Sequence, residues 1–145
     1  MRFHSDRRYH LPMSPDELWA TVARVDDYQS WWPWLRRFEG EHLADQAVWT
    51  CLVQPPLPYW VRFDVVLDEV IEPHTVRARI KGDVVGDAHL DIREHLAGSE
   101  ARLISNLGPG NPLLKAVAAV AAPVVRYGHD WVLDSGVRQF LDRHR

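Results

Sequence analysis

The sequence predicts an α+β fold: a strongly curved, seven-stranded antiparallel sheet around one long C-terminal helix, with two short helices after the first strand. Three observations predict it. A helix-start signal, Ser14-Pro15-Asp16-Glu17, follows directly on an opening polar strand. A long middle stretch, 36–107, places a charged residue at every second position over much of its length. A final stretch opened by Asn111-Pro112 carries apolar residues at helical spacing to the end of the chain.

Each element has its own signal. Arg2 to Leu11 reads as a polar strand ended by Pro12. Ser14 is a good N-cap, Pro15 suits the first helical position, and Glu17 completes a capping box. Leu18, Val22 and Val25 then recur at helical spacing beside Trp19. Asp26 and Gln29 suggest a cap for a second short helix. Trp31-Trp32-Pro33-Trp34 ends it, because the residue before a proline avoids the α region.

Strands follow at Phe38–Leu43, Ala47–Val53, Tyr59–Ile71, around Val76–Ile80, around Ala88–Ile92 and at Ala101–Leu107. Pro55-Pro56-Leu57-Pro58, Glu72-Pro73-His74, Gly82 with Gly86, and Leu96–Glu100 mark the bends between them. Alternation of apolar and charged residues means that one sheet face is wet, which is the antiparallel pattern. In the last helix Val117, Val120, Val124, Gly128, Trp131 and Val132 form a stripe extended by Ser135, Gly136 and Phe140. Pro123 breaks or kinks that helix, since it removes a backbone donor. Asp134 and Arg138 lie one turn apart and suit an ion pair. Arg138, Arg143, His144 and Arg145 oppose the helix dipole near its end.

Composition narrows the function. The chain has 145 residues, of which 46% are hydrophobic, and a net charge of −3. That is one domain, residues 1–145, able to bury a sizeable core. No basic stripe points to nucleic acid. The single Cys51 excludes an internal disulfide and a multi-thiolate zinc site. The apolar run Leu113–Val125 is short for a bilayer and holds Lys115 and Pro123, so no membrane insertion is expected. A soluble, reduced, cytoplasmic protein is the expectation, as a monomer or homodimer. Seven tryptophans are the compositional oddity, and four fall between Trp19 and Trp34.

The segments Ser14-Pro15-Asp16-Glu17-Leu18-Trp19, Tyr28-Gln29-Ser30-Trp31-Trp32-Pro33, Gly82-Asp83-Val84-Val85-Gly86 and His129-Asp130-Trp131-Val132 with Gly136 carry a resemblance in this element order. The chain resembles the START-related helix-grip superfamily, which includes the birch-pollen-allergen-like proteins and the polyketide cyclase/dehydrase group. The resemblance implies a cavity between sheet and C-terminal helix that takes lipids, polyketides, hormones or other hydrophobic molecules. Some members are enzymes and many are not.

Candidate site residues follow from that cavity. The resemblance places Tyr28, Trp31, Trp32 and Trp34 at its entrance, as an aromatic wall or, alternatively, as ordinary core packing. Phe63, Ala88 and Leu90 share the inward phase of their strands, and Gly86 and Ala88 leave space over the sheet. Trp131 and Ser135 face the same space if the helix stripe holds. His129 is a candidate general base beside Asp130, set against a helix-surface histidine in contact with a neighbouring acid. Arg62, Arg77 and Arg79 point away from the cavity by strand parity. His89, Asp91 and His95 share a strand face with Asp87 and Arg93, which argues for solvent, so no metal site is expected. No cofactor fingerprint occurs.

The expected function is therefore binding of a small hydrophobic molecule, lipid-, polyketide- or aromatic-like. A polyketide cyclase, aromatase or dehydratase using the same cavity is the alternative. A protein-interaction module, which would need a large exposed apolar patch, is the third class.

Overall fold

The computed structural model describes residues 2–144. The elements run β1 (Phe3–Leu11), α1 (Pro15–Val22), a 3-10 turn (Val25–Asp27), α2 (Tyr28–Trp31), β2 (Leu35–Glu39), β3 (Val48–Val53), β4 (Val61–Ile71), β5 (Thr75–Gly82), β6 (Val84–His95), β7 (Gly98–Pro109) and α3 (Pro112–Arg143). The strands form one antiparallel sheet in the order β1-β7-β6-β5-β4-β3-β2. Only the first strand leaves its sequence neighbours, to pair with the last. The architecture is a helix-grip fold: a curved sheet, α3 across its concave face, and α1 and α2 closing one end.

The caps act as the sequence suggests at two places. Ser14 Oγ accepts from the Glu17 amide at 3.2 Å, and Asn111 Oδ1 accepts from the Leu114 amide at 2.7 Å. Asp26 does not cap α2. It sits in the 3-10 turn, and α2 begins two residues later without a side-chain cap. Tyr28 ties down this uncapped turn instead, donating from its hydroxyl to the Val22 carbonyl at 2.5 Å.

Val66 breaks the alternation of β4 as an apolar residue on the outward phase, opposite Val48 of β3 and Arg79 of β5; the β4–β5 register shifts only beyond it, between Leu67 and Glu69. The bend before β6 is tighter than the two glycines suggest. It falls at Gly82–Asp83, and Gly86 lies inside β6. Both glycines have positive φ, 131° and 148°. A Cβ on Gly86 would stand 1.9 Å from the Asn106 carbonyl oxygen, so glycine is required there.

Helix α3 kinks at Ala121 (φ −138°, ψ 53°), two residues before Pro123. Val120 is 89% exposed and Val124 and Tyr127 are also exposed, so the expected stripe is broken at its N-terminal end. The buried positions are Leu114 and Ala118 before the kink and Gly128, Ser135, Gly136 and Phe140 after it. Asp83 locks the start of α3 onto the sheet. Its Oδ1 accepts from Asn111 Nδ2 at 2.9 Å while its Oδ2 accepts from the Arg62 amide at 2.9 Å.

Asp134 pairs with Arg7 of β1 at 2.6 Å rather than with Arg138, which donates to Ser135 Oγ at 3.3 Å. The reason is reach: β1 lies under the helix and presents a guanidinium to two acids at once. Arg143 donates to the Ser30 carbonyl at 2.8 Å and ties the end of α3 to α2. Arg145 lies outside the described residues. No helix among the described residues is long and apolar enough to cross a membrane.

Candidate functional site

The groove between sheet and helix has two unlike halves. At the end nearer α1 and α2 it is filled. Tyr28, Trp31, Trp32, Trp34, Phe38 and Trp49 meet ring on ring at centroid distances of 5.1–5.7 Å. Trp31 meets Phe140 of α3 edge to face at 5.2 Å. Trp32 Nε1 donates to the Gly136 carbonyl at 2.9 Å, and Trp34 Nε1 donates to Gln139 Oε1 at 2.8 Å. Gly136 lies directly under the two indoles, where a Cβ would stand in ordinary contact with Trp34 at 3.4 Å.

Burial in this half fixes two groups in their neutral forms. The Tyr28 hydroxyl is pushed up by desolvation and, secondarily, by Cys51. The Cys51 thiol is pushed up to about 12 by desolvation and then by Asp64. A protonated thiol at neutral pH is no nucleophile.

At the other end the groove is hollow. A cavity of about 230 Å3 lies between the sheet and the middle of α3. Its floor includes Phe63, Ile80, Ala88, Leu103, Ser105 and Leu107, and its roof Leu114, Val125, Gly128, His129, Val132 and Leu133. Strand register explains the hollow. Ser5, Ser105, Ala88 and Ala78 stand side by side across β1, β7, β6 and β5, with Gly86 one row away. Small side chains in one row lower the floor. In the roof, Gly128 leaves room for Leu57 and Tyr59, whose atoms would lie 2.7 and 3.4 Å from a Cβ built there.

Three lining side chains carry polar atoms: Ser105, Tyr59 and His129. The Tyr59 hydroxyl is pushed up by burial. His129 is mostly buried, and its Nδ1 lies 3.2 Å from Asp130 Oδ1. Asp130 is in turn 3.1 Å from the Arg7 guanidinium, which also holds Asp134. Burial works against the Arg7 charge, but Asp134 and Asp130 more than offset it and its pKa rises. The Tyr9 hydroxyl donates to Asp134 at 3.5 Å. A polar chain, Arg7–Asp130–His129, thus ends at the cavity wall.

Of the residues singled out in the sequence, Phe63, Ala88 and His129 line the cavity. Tyr28, Trp31, Trp32 and Trp34 lie in the filled half, and Leu90 packs against the same core. Trp131 and Ser135 do not border the cavity; the roof uses positions 125, 128, 129, 132 and 133, one helical face. Ser105 went unremarked. Its signal was there: a hydroxyl in the inward series Ala101, Leu103, Ser105, Leu107 of an otherwise apolar strand face.

The convex face holds His10, His89 and His95, while His144 packs in the filled half against Trp31 and Phe140. His89 Nε2 lies 2.9 Å from Asp91, Arg77 pairs with Glu69 at 3.3 Å, and Arg79 pairs with Asp68 at 2.8 Å. His10, His95 and Glu100 come together from three adjacent strands, with ligand-type atoms within 4.8 Å of one another. Arg93 already pairs with Glu100 there at 2.9 Å.

Comparison with known proteins places this geometry in a fold. No protein-family model matches the chain, and no curated protein matches it in sequence. Solved structures do. The di-domain ARO/CYC protein BexL from the BE-7585A biosynthetic pathway superposes with a TM-score of 0.76 at 12% identity, over 97% of this chain and 49% of that one. A START superfamily protein from Mycobacterium smegmatis gives 0.73 at 13% identity, over 97% and 95% of the two chains. Norcoclaurine synthase from Thalictrum flavum, in complex with dopamine and hydroxybenzaldehyde, gives 0.67 at 10% identity, over 100% and 89%. At such identities the likeness establishes the helix-grip fold and leaves function to the site.

Proposed function

We propose that this chain binds a small, mainly apolar molecule in the cavity between the sheet and the middle of α3, contacted by Phe63, Ala88, Leu103, Ser105, His129 and Val132. One observation carries the reading: a hollow of about 230 Å3 in an interior whose other half is tightly filled. Protein cores are close-packed, so an apolar hollow of this size beside a filled half marks where a bound molecule can add contacts.

The lining favours burial of apolar surface, worth about 25 cal/mol per Å2 before association costs. Volume sets the scale. An apolar cavity of about 150 Å3 in another protein takes benzene, so this one suits a body of roughly nine or ten heavy atoms. That is closer to a substituted aromatic ring or a short isoprenoid than to a full-length acyl chain. Norcoclaurine synthase, with its two small aromatic compounds, is a fold neighbour consistent with that size.

The test is native mass spectrometry of protein purified from its own source, together with a thermal-shift panel of small aromatics, polyphenols and lipids. A co-purifying small molecule or a saturable shift is expected. No adduct and no shift across the panel would overturn the reading.

A second reading, a cyclase, aromatase or dehydratase in the same cavity, draws on His129. Its Nδ1 faces Asp130, an arrangement that orients an imidazole for proton transfer. If it holds, His129→Gln abolishes turnover of a bound polyketide-like substrate while leaving its affinity within about threefold.

A further inference from the structure

We propose that the molecule held in the cavity is neutral and carries a hydroxyl or carbonyl oxygen on an otherwise apolar body, and that Ser105 Oγ receives that oxygen. This rests on the reading of the cavity as a ligand site, and it names the chemistry that site selects.

Ser105 sits in the middle of β7 and is 4% exposed. Its neighbours across the sheet are Ser5 on one side and Ala88 on the other. Among the described residues, Ser105 Oγ is the buried side-chain polar atom without a hydrogen-bond partner. The chain treats its other fully buried serines differently. Ser99 Oγ donates to the Met13 carbonyl at 2.6 Å, and Ser135 Oγ accepts from Arg138 at 3.3 Å. Buried polar groups are nearly always paired, so an orphan calls for a partner. As it stands Oγ is closed off from solvent; a rotamer change at Ser105, which borders the cavity, would turn it toward a molecule held there.

The chemistry of the partner follows from the lining. A serine hydroxyl both donates and accepts, so it serves an alcohol, a phenol or a ketone alike. A carboxylate or an ammonium needs a counter-charge or several donors when taken out of water. The lining holds no Asp, Glu, Lys or Arg. The Arg7–Asp130–Asp134 charges are spent on one another behind His129. A neutral oxygen is what the Ser105 hydroxyl can recognise in a lining whose other polar side chains are Tyr59 and His129.

The experiment is isothermal titration calorimetry of the full chain with two matched probes, 4-isopropylphenol and isopropylbenzene. Wild type and Ser105→Ala are compared. The expected result is that S105A weakens the phenol about tenfold and leaves the hydrocarbon within about twofold. Retained hydrocarbon binding shows that the variant keeps its cavity. Equal phenol affinity in wild type and S105A would overturn the role of Ser105 while leaving the cavity reading intact. Binding of neither probe to the wild type would overturn the proposal too, because the chamber then takes no neutral body of this size.

Discussion

The two halves of the groove lie under the same helix and over the same sheet, yet one is solid and the other hollow. In the solid half, α2 and β2 send tryptophans, a tyrosine and a phenylalanine onto the C-terminal part of α3. In the hollow half no tryptophan arrives, and Phe63 and Tyr59 stand at the walls. The floor there is lowered at Ser105 and Ala88, beside Ala78. The contrast teaches that the tryptophans anchor the helix and that small residues make the site. A rigidly held α3 keeps the chamber open, because its C-terminal half cannot settle onto the low floor.

The contrast can be broken from either side. Trp31→Ala strikes the solid half and is expected to cost about 3–5 kcal/mol of stability, read from urea unfolding, with ligand affinity changed far less. A large loss of affinity with little loss of stability would reverse the roles of the halves. Alkaline pH strikes the same half. Cys51 titrates near 12 when folded, above its ordinary value, so the unfolded chain sheds this proton first. Stability then falls as pH rises between about 9 and 12, by up to a few kcal/mol. Cys51→Ala reduces that slope, the part due to the buried Tyr28 hydroxyl remaining, and an unchanged slope would show that the thiol is not buried as described.

Smaller effects come from the hollow half. Ala88→Leu fills the floor, and is expected to weaken ligand binding about tenfold or more while moving stability by less than about 1.5 kcal/mol. A loss of stability as large as that of Trp31→Ala would mean that the space is not there. Ser105→Ala is the mildest. It removes an unpaired hydroxyl from a dry site and is expected to raise the unliganded protein's stability by about 1 kcal/mol in urea unfolding. A structural serine would instead lose stability on the same change.

The order of elements was legible because its signals are local. Ser14-Pro15 and Asn111-Pro112 announce helices within a few residues, and charged alternation announces the strands β4, β5 and β6. The hollow was not legible in the same way. It depends on Ser105, Ala88 and Ala78 coming into one row, which is a matter of the register of two successive hairpins, and of Ser5 from the distant β1 joining it. The tryptophans stand out in composition, but composition does not say which end of a groove they fill. The phase of α3 was hidden for a related reason. Pro123 was visible, but which face of so apolar a helix turns inward is set by how it settles on the sheet, and Val120 and Val124 end up outside. Likewise His10, His95 and Glu100 meet only once β1 pairs with β7.

The most direct test of the division is an NMR titration with 4-isopropylphenol, following backbone amides and tryptophan indole signals together. The expected result is saturable shifts at Ala88, Leu103, Ser105 and Val132, with the indole N–H signals of Trp32 and Trp34 unmoved because their donors stay on Gly136 and Gln139. Shifts confined to those indoles, with β6 and β7 silent, would contradict it and place the ligand among the tryptophans.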